Sequence, residues 1–406
     1  MCPIVTTAEA MLGEVQAETL QQLLVTVQTE TCSPCKTQLT GLDAVLTSQG
    51  ANMKPQEVPV RRGDVLEIQG STATGKTSLL YHLLITCILP SEYQSANIGG
   101  WNKAAICFDT DGTFDIERFH RLLMLRLSRL IKNGGEPPET TLEALFPAID
   151  ELASLCLERL HVFRPASSFQ MAATLLDLPR YHCARPSLQA LEIGLVTVDS
   201  LSAFYWADRF TVEHSCSAGE RSGGTGRVNP LRHVLSALQE LRASRGPVIV
   251  LTNWGLNPLK KSVVSGEEEE TSPFFKQHLQ SFPSPFHNSS SDPADTPLRG
   301  ASNASPHSVH RASSPLPGHP DTLMRDLVDV TSGSLPLTHH ITLRMAPMDP
   351  LPSSATGKVN AGDASRSSPV QKCQYEGIVR TPVNASVGRF NFVITEQDVR
   401  DDLMLV

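Results

Sequence analysis

The pattern of apolar and polar positions predicts strands that alternate with helices over the first 258 residues of the chain. Short apolar runs of strand length occupy residues 64–69, 103–108, 160–163, 195–200 and 248–253. Between these runs, apolar residues recur at helical spacing, as over 78–85, 114–132 and 229–241. Buried strands that alternate with amphipathic helices are typical of a doubly wound, mainly parallel sheet, so we expect an α/β fold.

The composition changes beyond this region. Ser, Pro, His and Asn prevail from 259 to 334, with an acidic run at 267–270. Such a segment buries too little apolar surface to offset the entropy lost on ordering, so we expect disorder there and again over 347–370. Alternating residues predict one core strand within 335–346 and closing strands within 371–406, antiparallel if they form a hairpin.

The N-terminal segment, residues 1–45, precedes a predicted core of residues 46–258. It carries a rough helical stripe between Ala8 and Val27, which can dock on its own domain or on a partner. Cys32 and Cys35 form a CxxC pair, but a structural zinc site needs four ligands and a matching second pair does not stand out. We therefore do not expect zinc at this pair.

Charge and hydropathy limit the classes of function. The net charge of −8 does not indicate a nucleic-acid binder, so contact with DNA requires a local basic patch or a partner. The N-terminus lacks a basic stretch followed by an apolar core, and apolar runs stay below membrane-spanning length. We expect an intracellular protein without a signal peptide or a membrane span.

One glycine-containing segment carries candidate chemistry. Residues 70–77 fit the pattern G-x-x-x-x-G-K-[ST] of a phosphate-binding loop, and a predicted strand and helix flank them. The backbone N–H groups and the helix N-terminus would face phosphate oxygens, Lys76 would reach the outer phosphates, and Thr77 would bind Mg²⁺. The residues assigned to binding are Gly70, Ser71, Thr72, Ala73, Thr74, Gly75, Lys76 and Thr77.

Carboxylates end two other predicted strands. The apolar strand 195–198 runs into Asp199, and a strand of this form beside a phosphate loop is typical of the Walker B element. Asp199 is therefore a candidate ligand of the nucleotide and of Mg²⁺. The strand 103–108 runs into Asp109 and Asp111, where a catalytic carboxylate and an ordinary Asx/Gly turn are both open interpretations.

Other residues allow more than one interpretation. Phe204, Tyr205 and Trp206 either stack on bases or fill a core or subunit interface, and the second interpretation is favoured. Residues 209–227 are rich in Ser and Gly, as expected of a DNA-facing loop or of an ordinary insertion. His339 and His340 point to opposite faces of one predicted strand, so we do not expect a shared metal site. The helix over 114–132 carries arginines that we expect on a solvated face: Arg118, Arg121, Arg126 and Arg129.

With these elements in order, the chain resembles the RecA-type recombinase superfamily, in its eukaryotic paralogue branch. The resemblance rests on the phosphate loop, on residues 109–118, on the strand ends at 199–200 and 252–253, and on the terminal strands. It implies a RecA-like ATP-binding domain with antiparallel C-terminal strands. It also implies ATP and Mg²⁺ as cofactors, a nuclear protein, and a role in recombinational repair of DNA breaks and stalled forks within a complex of related paralogues.

The chain departs from the recombinase pattern in ways that bear on activity. Asp111 stands where recombinases usually carry Glu, and a carboxylate one methylene shorter is a poorer candidate for the catalytic base. Trp254 stands where recombinases place a Gln that senses the terminal phosphate. The N-terminal segment contains no Phe-x-x-Ala motif of the kind that joins recombinase subunits, so we expect no homofilament.

The favoured hypothesis is an ATP-binding paralogue that docks on related subunits and reaches DNA through their complex. The alternatives are an active DNA-dependent ATPase of the same fold and a scaffold that does not need its nucleotide. An unrelated phosphate-loop kinase would need an Arg-rich lid and a substrate pocket, and the sequence indicates neither.

Overall fold

A computed structural model describes most of the predicted core. The described residues are 35–49, 58–94, 96–133, 142–211, 230–255, 258–260, 271–275, 335–346, 373–381, 387–396 and 398–401. The predicted N-terminal helix, Cys32, residues 347–370 and most of the predicted disordered insertion lie outside them.

The helices follow the apolar stripes of the sequence. They are α1 (Thr40–Gln49), α2 (Lys76–Ile88), α3 (Ile116–Asn133), α4 (Leu142–Leu157), α5 (Ser168–Ala184), α6 (Pro186–Gln189) and α7 (Pro230–Arg245). Ser167 caps α5, because its side chain accepts a hydrogen bond from the backbone N–H of Gln170. Residues 205–211 are also helical, although the sequence predicts that a loop begins at 209.

The strands match the short apolar runs. Those of the main sheet are β1 (Val65–Gly70), β4 (Ala104–Asp109), β5 (Leu160–Phe163), β6 (Ile193–Asp199), β7 (Val248–Trp254), β10 (His339–Met345), β11 (Cys373–Arg380), β12 (Gly388–Ile394) and β13 (Val399–Asp401). Two small hairpins comprise β2 (Glu92–Tyr93) with β3 (Ala96–Asn97), and β8 (Pro258–Lys260) with β9 (Thr271–Phe275). Composition predicts disorder from 259 onward, so β9 and the end of β8 are structure that it did not anticipate.

The strand order of the main sheet is β13-β12-β11-β10-β1-β7-β6-β4-β5. The six strands from β10 to β5 run parallel, and β11, β12 and β13 add antiparallel pairings. The expected mainly parallel α/β sheet with antiparallel C-terminal strands is confirmed. β1 lies inside the sheet between β10 and β7, and it runs parallel to both.

Helices cover both faces of the sheet. Every residue of β1, β4 and β6 is buried, as expected for parallel strands between two helical layers. Residues of α1 to α4 form one core with one face of the sheet, and residues of α5 and α7 form a second core with the other. The predicted stripe on α7 is buried in this second core: Leu231, Val234, Leu235, Leu238 and Leu241.

Helix α1 belongs to the core, although the predicted boundary between residues 45 and 46 cuts through it. Leu42 and Leu46 are buried in the first core. Asp401 of β13 accepts hydrogen bonds from the backbone N–H groups of Thr40 and Gly41, at 2.6 and 3.2 Å. The carboxylate thereby caps the start of α1 and ties the last described strand to it.

The prediction of a solvated arginine face on α3 is wrong at Arg126, which is 1% exposed. Its guanidinium donates to the carbonyl oxygen of His82 at 3.1 Å and to Oγ1 of Thr86 at 2.8 Å. It also donates to Oε1 of Gln38 at 2.5 Å. The sequence did not reveal this site because its acceptors are neutral groups that only the fold brings together.

Candidate nucleotide-binding site

The phosphate loop joins the end of β1 to the start of α2. Gly75 has a φ of 85°, in the left-handed region that a side chain rarely adopts. A Cβ at Gly75 would lie 2.4 Å from Cδ1 of Ile394, and one at Gly70 would lie 2.5 Å from Oγ1 of Thr74. The glycines of the motif are therefore required by backbone conformation and by close packing, including contact with β12.

Lys76, the first residue of α2, folds back over the loop. Its Nζ donates to the carbonyl oxygens of Gly70 at 2.9 Å and of Ser71 at 2.8 Å. Burial lowers the pKa of Lys76, while Asp199 and Asp111 oppose that shift. These contacts put an ammonium group beside the loop, where phosphate charge would be bound.

Thr77 and Asp199 meet across the loop. The Thr77 hydroxyl donates to Oδ2 of Asp199 at 2.9 Å, and the Thr252 hydroxyl donates to Oδ1 at 2.5 Å. A hydroxyl and a carboxylate are the oxygen donors that Mg²⁺ prefers, so this pair fits a phosphate-bound Mg²⁺. Thr252 fixes the orientation of the carboxylate from the neighbouring strand β7.

The two carboxylates that follow β4 have different surroundings. Asp109 is buried and accepts from Nε of Arg164 at 2.8 Å and from the backbone N–H of Thr113 at 2.9 Å. It therefore holds the turn in place. Asp111 is exposed, and its backbone N–H lies 3.4 Å from the carbonyl oxygen of Asp199. Although the residue is exposed, partial burial of its carboxyl group raises the pKa of Asp111, and the charge of Asp199 raises it further.

Trp254 ends β7 directly beside the loop. It is paired in register with Gly70, and the backbone N–H of the next residue, Gly255, donates to the Gly70 carbonyl at 2.9 Å. Its own backbone N–H donates to Oγ of Ser202 at 3.0 Å. These backbone contacts tie the end of β7 to the first residue of the loop.

Arg118 is a cation near the loop for which the sequence predicted only a solvated face. Its guanidinium donates to Oγ of Ser78 at 3.3 Å and lies over the ring of Tyr81, 5.8 Å from the centroid. Ser78 directly follows Thr77 in α2. Only the resemblance, which includes residues 109–118, marked this arginine at the sequence level.

The aromatic run after β6 does not fill the core. Phe204 and Tyr205 are half-buried, and Trp206 is 63% exposed. The expectation of core packing is therefore wrong for Trp206, while a subunit interface and base stacking both stay open for it. The Arg209 guanidinium lies 5.8 Å from the Trp206 ring centroid.

Histidines and cysteines do not form a metal centre in the described part of the chain. No group of three or more His, Cys, Asp or Glu side chains there could hold a metal ion. Cys35 is buried, while Cys32 lies outside the described residues. The Nδ1 atom of His161 lies 2.9 Å from the Tyr181 hydroxyl. None of the described helices is long and apolar enough to cross a membrane.

The fold and the loop together define the class of protein. A parallel sheet with a phosphate loop after an inner strand, an Asp at the end of a nearby strand, and antiparallel C-terminal strands form a RecA-like domain. By this architecture, the chain has the RecA-like fold.

Comparisons with known proteins specify the resemblance. DNA repair protein XRCC2 of Mus musculus is 36% identical over 165 residues, 41% of this chain and 49% of that protein. The XRCC2 homolog of Arabidopsis thaliana is 26% identical over 209 residues, 48% of this chain and 55% of that protein. DNA repair protein RAD51 homolog 1 of Arabidopsis thaliana is 28% identical over 200 residues, 49% of this chain and 46% of that protein.

These likenesses confirm the predicted resemblance to the RecA-type recombinase superfamily and its paralogue branch, and they add that XRCC2 proteins are among the similar ones. The chain spans about half the length of the curated relatives it matches. No family model matches it.

Proposed function

We propose that the chain is an ATP-binding recombinase paralogue that supports repair of DNA double-strand breaks and stalled forks by homologous recombination. The observation that carries the nucleotide part is the meeting of Lys76, Thr77 and Asp199 at one end of the parallel sheet. The names of the relatives, which describe DNA repair proteins, support the repair part.

In this proposal, each residue of the loop has a defined task. The backbone N–H groups of residues 70–77 and the N-terminus of α2 bind phosphate oxygens, and Lys76 exchanges its carbonyl contacts for the outer phosphates. Thr77 and Asp199 hold Mg²⁺, which supplies charge neutralisation at the phosphates when bound. Thr252 keeps the Asp199 carboxylate turned toward Thr77.

Slow or absent hydrolysis is the expected consequence of Asp111. The charges of Lys76 and Asp199 both affect the pKa of this carboxylate, and we assign Asp111 as the weak candidate for the general base. The side chain of Asp111 is one methylene shorter than that of Glu, so its carboxylate lies further from an attacking water. A misplacement of about 1 Å can lower the rate roughly 100-fold. The chain thus acts chiefly by binding ATP.

Partner docking has a candidate surface at the far edge of the sheet. β5 is the edge strand of the described sheet, so it offers backbone groups for pairing with another chain. Beside it lies a cavity of about 260 Å³ lined by residues of β5 and α5. An extended segment of a related paralogue could pair with β5 and place an apolar side chain in this cavity. The lining residues are Phe163, Gln170, Ala173, Thr174, Asp177, Leu178 and Tyr181.

DNA contact and a nuclear location are further parts of the proposal. The net charge of −8 favours contact with DNA through the complex rather than through this chain alone. The relatives are named as DNA repair proteins, and we infer a nuclear location for this chain. A homofilament is not expected.

The decisive experiment compares the purified chain with its Lys76→Ala variant. Titration with Mg²⁺ and a fluorescent ATP analogue measures binding, and phosphate release with and without single-stranded DNA measures turnover. Binding that the substitution abolishes, with little turnover, supports the ATP-binding paralogue. Turnover that DNA stimulates and the substitution abolishes would favour the active ATPase. Equal nucleotide binding and equal phosphate release by both proteins would favour the scaffold that does not need its nucleotide.

A further inference from the structure

A chain of buried hydrogen bonds leads from the edge of the phosphate loop into the C-terminal half of the sheet. Ser202 accepts from the backbone N–H of Trp254 and donates to Oδ1 of Asn253, both at 3.0 Å. Asn253 then donates through Nδ2 to Oε1 of Glu67 at 2.5 Å. The other oxygen of Glu67 lies 2.8 Å from Nδ1 of His340. These contacts connect four neighbouring strands or strand ends.

The direction of each bond defines a single arrangement. The Thr342 hydroxyl lies 3.2 Å from Nε2 of His340 and can donate a hydrogen bond to it. Since a neutral imidazole has one acceptor and one donor nitrogen, Nδ1 then carries the hydrogen and donates to Glu67. Burial lowers the pKa of His340, which favours that neutral form, although Glu67 opposes the shift. The Glu67 carboxylate is therefore held from both sides by donors on β7 and β10.

Burial makes this arrangement costly to disturb. Glu67 is 2% exposed, and Asn253 and His340 are each 1% exposed. Arg380 pairs in register with His340 on the neighbouring strand β11. Burial lowers the pKa of Arg380 to about 10, and the nearby Glu67 partly opposes that shift. A polar group that loses its partner in such a site cannot turn to water, so the structure must shift instead.

We propose that Glu67 and His340 are positioning residues for the nucleotide site, which they influence through Asn253, Ser202 and the backbone of Trp254. This proposal rests on nucleotide binding as the function of the loop. Trp254 faces Gly70 in register, so a displacement of the end of β7 moves the wall of the loop. Thr252, the residue before Asn253, orients Asp199, so the same displacement reaches the proposed Mg²⁺ ligand.

The neighbouring histidine provides a matched control. His339 is also buried, but it lies on the opposite face of β10, and its Nδ1 contacts Oγ1 of Thr338 at 2.9 Å. His339→Ala and His340→Ala therefore remove the same group from adjacent positions of one strand. His340→Asn is the conservative variant, because its amide can restore a donor toward Glu67.

The experiment uses the full chain and two readouts. The first is the dissociation constant of a fluorescent ATP analogue with Mg²⁺. The second is the emission of Trp254 without nucleotide, obtained by subtracting the spectrum of the same protein carrying Trp254→Phe. Stability is measured for every variant, so that loss of folding is separated from altered positioning.

The expected result is selective. His340→Ala weakens binding about tenfold, as is typical of coupling within one hydrogen-bond network, and shifts the Trp254 emission. His339→Ala changes neither by more than about twofold, a limit that allows for ordinary variation between independent sites, and His340→Asn recovers most of the loss. Equal effects of both alanine variants, or an unchanged Trp254 emission in His340→Ala, would overturn the proposal. Failure of the wild-type chain to bind nucleotide would refute the proposed function, while the Trp254 emission would still decide whether His340 positions this edge.

Discussion

The Thr77 hydroxyl and the Asp199 carboxylate lie 2.9 Å apart, although 122 positions separate them in the sequence. Thr77 is delivered by the first turn of α2 and Asp199 by the last residue of β6. Their contact exists only because β1 and β6 both end at the same edge of the parallel sheet. This contact brings a hydroxyl and a carboxylate oxygen together beside the glycine loop, which is an arrangement suited to a metal ion.

Asp199→Asn tests the role of this contact. The amide retains the size of the side chain but loses the negative charge that Mg²⁺ requires, so nucleotide affinity should lose its dependence on Mg²⁺. Titrations with Mg²⁺ and with EDTA measure that difference directly.

Asp109→Asn is the matched control, because Asp109 ends the neighbouring strand and pairs in register with Asp199. Its carboxylate contacts Arg164 instead of Thr77. The control should destabilise the protein while leaving the effect of Mg²⁺ intact. A Mg²⁺ effect that survives in Asp199→Asn and disappears in Asp109→Asn would contradict the assignment.

Asp111→Glu should increase ATP turnover. The added methylene extends the carboxylate toward the position that a general base needs, and a gain on the order of tenfold to 100-fold is expected if reach is the limiting factor. Phosphate release is the measurement, with Asp111→Ala as the reference for a site without a carboxylate. Turnover that stays at the level of Asp111→Ala would show that reach does not limit hydrolysis.

The strands and helices of the core were predictable because burial imposes regular patterns. Apolar runs ending at Asp199 and Asn253 identified two inner strands, and the glycines at 70 and 75 identified the loop. The network around Arg126 was not predictable, since Gln38, His82 and Thr86 have no sequence pattern that relates them to it. Among the closing strands, β11 and β12 follow the alternating pattern, whereas β13 does not stand out because a strand of three residues carries too little pattern.

The candidate site was predicted in its residues but not in its contacts. The sequence pointed to Lys76 and Thr77 through the loop motif and to Asp199 through its strand end, whereas only the resemblance marked Thr252 and Arg118. The strand pattern left Asp109 and Asp111 equivalent, and only the resemblance singled out Asp111 as the weak candidate for the catalytic base. The structure adds that Asp109 contacts Arg164, whose position depends on how β5 pairs with β4.

Ala173→Trp should abolish binding of a related paralogue. Ala173 lines the cavity beside β5, and an indole there would occupy the space that we assign to a partner's apolar side chain. Co-purification with each related paralogue measures the loss, while nucleotide binding should stay unchanged because the cavity lies apart from the phosphate loop.

Leu176→Trp is the control for this substitution. It adds the same aromatic ring to an exposed position of α5 that does not line the cavity. Paralogue binding should persist in this variant. If neither substitution affects co-purification, the partner binds another surface.

His82→Gln should reduce the loss of stability in acid. Burial and the nearby Arg126 depress the pKa of His82 well below 6.5, so this histidine is neutral when folded and takes up a proton only on unfolding. Below about pH 6.5 the unfolded chain therefore binds the extra proton, and the free energy of unfolding falls as pH falls, by up to about 1.4 kcal/mol per pH unit. The ring of His82 lies 2.8 Å from the Thr37 carbonyl oxygen through Nε2 and 3.2 Å from the Arg126 guanidinium through Nδ1. Gln lacks the proton uptake, while its amide can donate to the carbonyl and accept from the arginine.

Denaturant unfolding at pH 7.5 and pH 5.5 measures this effect. His161, His339 and His340 also have lowered pKa values, and they contribute equally to the wild type and the variant. Carboxyl groups whose pKa values are raised by burial, such as Asp43 and Asp64, likewise cancel in the comparison. The variant should lose less stability between the two pH values, and an identical loss would mean that His82 is not neutral in the folded protein.

Asp401→Ala should destabilise the protein by about 1–2 kcal/mol, the usual cost of removing a helix cap. The carboxylate accepts from the backbone N–H groups of Thr40 and Gly41 and from the Thr40 hydroxyl, so its loss leaves the first turn of α1 without acceptors from β13. Asp401→Asn keeps one side-chain oxygen that can accept a hydrogen bond, so this variant should lose less stability. Denaturant unfolding of the three proteins should give stability that decreases in the order wild type, Asp401→Asn, Asp401→Ala.

Because α1 packs on the C-terminal strands that also contact Gly75, the alanine variant should additionally bind nucleotide more weakly. Full stability in that variant would show that α1 needs no cap from β13, and unchanged nucleotide binding despite lower stability would separate α1 from the phosphate loop.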